Sequence, residues 1–123
     1  MGERIPPQGG TISGAMGRQD AIRELTRRIV EYYQPDRVYL FGSVARGDAS
    51  LESDLDFLVV VPDDAPPERR RVREFQMRRL DIREPVDLVV VRRTYFDRNQ
   101  GAPSSLPFAA RTEGKVLYDR HPL

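Results

Sequence analysis

The feature that most constrains this chain is a pair of carboxylates directly in front of a wholly apolar run. Asp54 and Asp56 are separated by one leucine and precede the run FLVVV. Aspartate is a poor strand former, and a carboxylate beside a buried strand is costly unless a partner neutralises it. Side chains at positions i and i+2 of a strand point to the same face, so the two carboxylates are expected to lie together. A divalent cation accounts for both economically, and Mg²⁺ is the best candidate because it prefers oxygen ligands.

A turn of small residues stands upstream of these carboxylates. Gly42 and Ser43 follow the apolar run VYLF, and ten residues separate Ser43 from Asp54. The backbone N–H groups of such a turn can bind phosphate oxygens, and Mg²⁺ commonly binds to proteins together with phosphates. A phosphate-holding turn next to a metal-holding pair of carboxylates predicts nucleotidyl transfer.

Length and composition limit the other classes of function. A chain of 123 residues is enough for one domain with one core, and we expect it to be too short for an additional large acceptor-binding domain. Its formal net charge of +1 gives no general argument for binding nucleic acid, so nucleic acid is not the expected partner. The sequence has no cysteine, which excludes disulfides and thiolate metal sites.

The sequence also lacks the usual signals for membrane insertion or export. No apolar stretch reaches membrane-spanning length, and the N-terminus has no apolar signal-peptide core. We therefore expect a cytoplasmic protein without a membrane partner. Residues 1–17 are rich in glycine and proline and are expected to be a flexible segment, and residues 18–120 are expected to form a single domain.

Hydrophobic periodicity predicts alternating helices and strands. The helices are predicted at 18–34, 43–46, 67–83 and 106–113. The strands are predicted at 37–41, 54–61, 85–91 and 115–118. Two polar loops are predicted at 48–53 and 92–103. The core contacts expected from the third helix are Val72, Phe75, Met77 and Leu80. This order of elements predicts the α/β class, a small mixed β-sheet with helices packed on it.

The connections between the strands predict how they pair. About a dozen residues join the first two strands, and they contain only one short helical turn. This length is marginal for a parallel crossover, so we expect the two strands to be antiparallel. A helix joins the second and third strands, so we expect these to be parallel. Aligning DFLVVV with DLVVV then places Asp87 beside Asp56. Asp54, Asp56 and Asp87 are therefore predicted to converge at one edge of the sheet, across from Gly42 and Ser43.

These residues resemble the nucleotidyltransferase superfamily typified by DNA polymerase beta, and most closely its single-domain minimal nucleotidyltransferase (MNT) branch. The hallmark of that family is Gly-Ser, roughly ten residues, Asp-x-Asp, and a third acidic residue on a later strand. The run FGSVARGDASLESDLD matches this pattern strongly, and residues 85–91 match it by position. The resemblance implies a polymerase beta-like core that transfers a nucleoside monophosphate, AMP from ATP, to an acceptor hydroxyl.

The resemblance also implies a role for each motif residue. Asp54 and Asp56 would hold two Mg²⁺ ions. Asp87 would help to hold the second ion and would accept the proton of the attacking hydroxyl. Gly42 and Ser43 would bind the β and γ phosphates of the nucleotide through backbone N–H groups and the serine hydroxyl.

Arg46 would neutralise phosphate charge during transfer. Plainer interpretations of the same residues stay open. Arg46 would also suit an exposed salt bridge, Asp87 a solvent-facing strand start, and Asp54 and Asp56 the end of a loop. The Gly-Ser pair would also suit an ordinary strand-to-helix turn with a serine cap.

The family resemblance further implies a partner. Larger members carry extra domains for their acceptors, whereas the minimal branch is often paired with a small helical HEPN protein. In some such pairs the transferase is an antitoxin that adds AMP to the HEPN toxin, commonly at a tyrosine. The alternatives are an antitoxin that neutralises its partner by occlusion alone, and a transferase acting on RNA ends. The arginine-rich helix at 67–83 favours RNA only weakly, because acidic residues are interleaved with its arginines.

Overall fold

The computed structural model describes residues 17–47 and 54–122, without the side chains of Ser43 and Arg46. Its helices are α1 (Arg18–Tyr33), α2 (Gly42–Arg46), α3 (Val72–Arg78), α4 (Arg93–Asn99) and α5 (Leu106–Glu113), with a 3₁₀ turn at Pro67–Arg70. Its strands are β1 (Arg37–Phe41), β2 (Leu55–Val61), β3 (Val86–Arg92) and β4 (Lys115–Asp119). The predicted flexible segment lies, apart from Gly17, outside the described residues, as does the predicted loop at 48–53. None of the described helices combines the length and the apolar character that a membrane crossing requires.

The four strands form one mixed sheet in the order β3-β2-β1-β4. β1 pairs with β2 and with β4 in antiparallel fashion, and β2 pairs with β3 in parallel. The predicted α/β class and both predicted strand pairings are therefore confirmed. The parallel pairing requires a crossover over one face of the sheet, which the segment containing α3 provides.

Helix α1 forms because its apolar residues recur at helical spacing. They all face the sheet and are buried: Ala21, Ile22, Leu25, Ile29 and Tyr33. The helix ends at Gln34, which adopts a left-handed conformation with φ of 48°, just before Pro35. The predicted helix at 18–34 is thus confirmed, apart from its last residue.

The two faces of the sheet carry two separate apolar clusters. Alternate residues of β2 point to opposite faces, so Phe57 and Val59 join the larger cluster under α1 and α3. Leu58 and Val60 join the smaller cluster, where Phe96 of α4 is also buried. The same alternation determines on which face of the sheet each remaining residue of β2 lies.

The predicted helix at 67–83 is wrong in its extent. A 3₁₀ turn precedes α3, and α3 ends at Arg78. Met77 lies within α3 but two residues after the buried Phe75, so it faces away from the core and is 61% exposed. Leu80 lies beyond the end of the helix and is 62% exposed. Phe75 is buried as predicted, and Ile82, which was not predicted as a core residue, is buried as well.

The predicted loop at 92–103 is also wrong, because residues 93–99 form α4. A distant side chain stabilises the first turn of this helix. Asp63 accepts a hydrogen bond of 2.9 Å from the Thr94 backbone N–H and another from the Thr94 hydroxyl. Phe96 is fully buried and stacks on Tyr39 with ring centroids 5.4 Å apart, so α4 covers the smaller cluster.

Candidate active site

The end of β1 and the start of β2 lie side by side. Phe41 is paired with Asp56 in the antiparallel ladder, and Gly42 follows Phe41 directly. Gly42 has φ of +80°, and a β-carbon added there would collide with the Oδ2 atom of Asp56. The turn and the carboxylate are therefore in close contact, and only glycine fits at this position. The sequence motif predicted a phosphate-holding turn here, but it did not reveal this steric requirement.

Asp87 lies beside Asp56 on the neighbouring strand. The two residues are partners in the parallel ladder between β2 and β3, as the alignment of the two apolar runs predicted. The backbone N–H of Leu55 donates a 2.8 Å hydrogen bond to the carbonyl of Pro85, which fixes this register. The structure thus brings Gly42, Asp56 and Asp87 together across three adjacent strands.

The acidic residues share the face of the smaller cluster. Leu58 and Val60 of β2 lie on that face, and residues two positions apart in a strand share a face, so Asp56 lies there too. The same alternation places Asp87 on that face, since Val89 packs against the smaller cluster. This end of the face is open, because Asp54 and Asp87 are exposed and Asp56 is only partly buried.

Negative charge is concentrated at Asp56. Burial raises the pKa of the Asp56 carboxyl, and the charges of Asp87 and Asp54 raise it further. All three causes disfavour the ionised form of this carboxyl. A cation among these oxygens would offset the two charge effects.

Comparison with known proteins identifies the family. The sequence profile of the nucleotidyltransferase domain matches residues 22–110. The chain belongs to the nucleotidyltransferase domain family. A search of curated proteins finds no match.

Solved structures share the fold of this nucleotidyltransferase domain. One is described as a nucleotidyltransferase from Sulfolobus solfataricus, with a TM-score of 0.56 and 22% identity over 95% of this chain and 94% of that chain. The toxin–antitoxin MntA–HpeT matches with a TM-score of 0.53 and 23% identity, over 79% of this chain and 73% of that chain. A toxin–antitoxin structure with AMP-PNP matches with a TM-score of 0.54 and 25% identity over the same shares. The family match confirms the nucleotidyltransferase superfamily that the motif predicted, and the solved structures share its fold.

The donor atoms at this site suit a hard divalent cation. Carboxylate oxygens from Asp54, Asp56 and Asp87 are the type of ligand that Mg²⁺ prefers. Within residues 17–47 and 54–122, however, no three acidic or histidine side chains are arranged as a group that could hold a metal ion. The structure therefore places carboxylates of the right chemical type on one face of the sheet. Their assignment as metal ligands stays a prediction.

The other motif residues are placed in part. Gly42 begins α2 and Arg46 ends it, one residue before Gly47, which also has a positive φ. The side chains of Ser43 and Arg46 lie outside the described structure. Their assignment to phosphate binding stays a prediction, whereas the position of the turn beside Asp56 is a structural observation.

The described surface cavities lie away from this site. One, of about 340 Å³, opens between α1 and α3 and is lined by Tyr32, Phe75 and Arg78 among others. The Arg78 guanidinium lies 5.1 Å from the centre of the Tyr32 ring, and Tyr32 packs edge-on against Tyr33. These contacts pack Tyr32 and Tyr33 at the end of α1. The cavity is on the face of the larger cluster, so it is separated by the sheet from the acidic residues.

Proposed function

We propose that the chain is a Mg²⁺-dependent nucleotidyltransferase that transfers AMP from ATP to an acceptor hydroxyl on a partner protein, such as a HEPN toxin. One observation carries the chemistry. Asp56 lies between Gly42 of the small-residue turn on one side and Asp87 on the other, all at one end of the sheet. This is the juxtaposition that nucleotidyl transfer needs, with phosphate-binding backbone and carboxylates side by side.

The proposed roles follow from these positions. Asp54 and Asp56 would hold the metal, which when bound supplies charge neutralisation for the triphosphate and the attacking oxygen. The backbone N–H groups of Gly42 and Ser43 would bind the β and γ phosphates. Arg46 would neutralise phosphate charge; its side chain and that of Ser43 are assigned from the motif alone.

The proposed reaction is an in-line substitution at phosphorus. The acceptor oxygen forms a bond to the α-phosphorus of ATP, and the bond from that phosphorus to the bridging oxygen breaks, so pyrophosphate leaves. Asp87 would take the proton of the attacking hydroxyl, and it is exposed at the open end of the face where an acceptor can approach.

The choice of nucleotide and acceptor rests on the resemblance and on the solved neighbours. One toxin–antitoxin neighbour was solved with AMP-PNP, which supports an adenine nucleotide for this chain by analogy. The MntA–HpeT neighbour is a toxin–antitoxin pair, which supports a protein partner in the same way.

The test is transfer of label from α-³²P-ATP with Mg²⁺, in lysate and with the product of any neighbouring gene. We expect a labelled protein band that disappears in the Asp54→Asn/Asp56→Asn variant. The matched control, Asp20→Asn/Asp97→Asn, removes two exposed carboxylates away from the site and should label normally. If the wild-type protein labels nothing while it still binds its partner, the catalytic proposal fails.

A second function is an antitoxin that works by occlusion alone. The toxin–antitoxin neighbours favour occlusion as much as they favour catalysis, because they support a protein partner without deciding whether catalysis is needed. Neutralisation of the partner by a folded Asp54→Asn/Asp56→Asn variant would establish occlusion. Loss of neutralisation with binding retained would exclude it. RNA ends, the third alternative, would be excluded by a failure to label RNA under conditions that label protein.

A further inference from the structure

The strand that carries Asp87 lies at the edge of the sheet. The order β3-β2-β1-β4 leaves one side of β3 without a neighbouring strand. Adjacent strands lie about 4.8 Å apart, so the site extends about 10 Å from the turn after β1 to Asp87 on β3. With the nucleotide at the β1 end, an acceptor would arrive from the β3 side.

The backbone of β3 presents hydrogen-bonding groups on that open side. The hydrogen bond from the Leu55 N–H to the Pro85 carbonyl determines which residues of β3 face β2. Asp87 and Val89 direct their backbone N–H and C=O groups towards β2. The alternate residues Leu88 and Val90 then direct their N–H and C=O groups away from the sheet. Among the described residues, no group hydrogen-bonds to these outward atoms.

The open segment has a clear beginning. The side-chain amide of Gln76 in α3 donates a 3.0 Å hydrogen bond to the carbonyl of Val86, which satisfies the first outward carbonyl of the strand. The unpaired outward carbonyls therefore begin at Leu88, one residue past Asp87. Unpaired backbone groups at a sheet edge are the usual template for an added strand.

We propose that this edge of β3 binds an extended segment of the protein acceptor as a fifth, antiparallel strand, with the hydroxyl-bearing residue opposite Asp87. The proposal rests on the proposed function, since it specifies how the acceptor of that reaction is held. The occupant is an acceptor segment because the unpaired edge is continuous with the residue assigned to take the hydroxyl proton. Antiparallel pairing is chosen because it is the more stable arrangement per residue.

The geometry of an antiparallel ladder puts the acceptor residue where the reaction needs it. Leu88 and Val90 would form the hydrogen-bonded pairs with the added strand, so Asp87 would face a residue in a non-hydrogen-bonded pair. Side chains approach most closely in such pairs, with β-carbons about 4.5–5.5 Å apart. The residue opposite Asp87 would also project from the same face of the sheet. A tyrosine there would place its hydroxyl over the acidic residues.

The probe is a capped five-residue peptide, Thr-Val-Thr-Val-Tyr, whose tyrosine would lie opposite Asp87 and whose valines would lie opposite Leu88 and Val90; it is added at millimolar concentration to the full chain with Mg²⁺ and ATP. Two readouts are followed: AMP transfer to the tyrosine by mass spectrometry, and hydrogen exchange of the Leu88 and Val90 amides. In the proposed register, the N–H groups of the two peptide valines face β3 and those of the threonines face solvent. N-methylation of the valines should therefore lower transfer by about tenfold or more, because hydrogen bonds are lost. N-methylation of the threonines should change transfer less than about twofold.

A variant tests the same edge from the protein side. Val90→Pro removes an outward N–H without removing a bond to β2, and proline is tolerated on edge strands. Val90→Thr keeps the N–H and is the matched control. Thermal unfolding should first show that both variants are folded. AMP transfer should then fall only for Val90→Pro. Unchanged transfer in that variant would overturn the proposal.

The two readouts separate this proposal from the proposed function. Protection of the Leu88 and Val90 amides without AMP transfer supports the docking edge and overturns the transferase. Transfer without protection, and without a difference between the two N-methylated peptides, overturns the docking edge alone. The absence of both AMP transfer and amide protection would overturn both proposals. Protection that appears without peptide and grows with protein concentration identifies a second copy of the chain as the occupant, which also overturns the proposal.

Discussion

Gly42 and Asp56 are in such close contact that a side chain at position 42 would overlap the aspartate carboxylate. Gly42 also has φ of +80°, a conformation that L side chains rarely adopt. Two independent constraints therefore require glycine at the start of α2. One is conformational and acts on the turn, and the other is steric and acts on the carboxylate.

These constraints can be separated by mutation, because Gly47 shares only the first. Gly47 has φ of +83°, but a β-carbon there would meet nothing within 4 Å among the described residues. We expect Gly47→Ala to cost about 1–2 kcal/mol of unfolding free energy from backbone strain alone. Gly42→Ala should cost more and should also abolish nucleotidyl transfer, since Asp56 must move. Chemical denaturation and the α-³²P-ATP assay measure the two effects. Equal loss of transfer in both variants would contradict a special role for Gly42.

The charge crowding at Asp56 predicts opposite effects of one substitution on stability and on activity. Asp56→Asn removes a carboxylate that Asp87 and Asp54 repel, so we expect the variant to have a higher Tm than the wild type in EDTA. Nucleotidyl transfer should fall by at least about 100-fold, because metal-assisted stabilisation is worth several kcal/mol.

Added Mg²⁺ should reverse the order of stability. Ligands that bind only the folded state raise Tm, and the wild type has the more complete donor set. Thermal unfolding of both proteins in EDTA and in Mg²⁺ makes the comparison. An Asp56→Asn variant that is less stable than the wild type in EDTA would show that the three carboxylates do not repel one another as described.

The buried side chain of α4 gives a prediction for a helix that the sequence did not reveal. Phe96 is fully buried against Tyr39, so Phe96→Ala should lower the free energy of unfolding by about 3–5 kcal/mol. Its neighbour Tyr95 is 48% exposed, and Tyr95→Ala should change stability by no more than about 0.5 kcal/mol. Urea unfolding of the two variants is the measurement. Similar losses in both would mean that α4 does not pack on the sheet through Phe96.

The acidic residues of the site could be predicted because their signals are local. Asp56 and Asp87 each precede an apolar run, and aligning the two runs gives their register in the ladder. The apolar face of α1 was predicted for the same reason, since its period is visible within one turn of the chain. Where the pattern is contained in one segment, sequence and structure agree.

The errors arise where distant contacts decide the structure. The sequence RTYFDRN has little helical periodicity, and α4 begins where Asp63, 31 residues away, binds Thr94. The turn that follows α3 is likewise held by a distant contact, because Asp81 accepts two hydrogen bonds from Arg28 of α1, 53 residues away. Such contacts override local propensity, and single-sequence patterns do not contain them.

A bidentate ion pair joins α1 to the turn after α3. The guanidinium of Arg28 donates two 2.8 Å hydrogen bonds to Asp81 and a third, also of 2.8 Å, to Glu24. These contacts lower the pKa of the Asp81 carboxyl, the hydrogen bond from Arg28 being the largest cause. The folded state therefore binds the proton of Asp81 less tightly than the unfolded chain does.

This pKa shift fixes the pH dependence that Asp81→Asn should show. The stability contributed by Asp81 is fully present above its unfolded pKa of about 3.9, and it is lost as pH falls through the lower folded value. We expect Asp81→Asn to cost about 0.5–1 kcal/mol at pH 7, because the pair is partly exposed, and to cost progressively less below pH 4. Asp20→Asn removes an exposed carboxylate paired within α1 and is the control, with a change of no more than about 0.5 kcal/mol. Urea unfolding from pH 7 down to pH 3 gives the test, and a cost of Asp81→Asn that is independent of pH would refute the ionic origin of this link between α1 and the crossover segment.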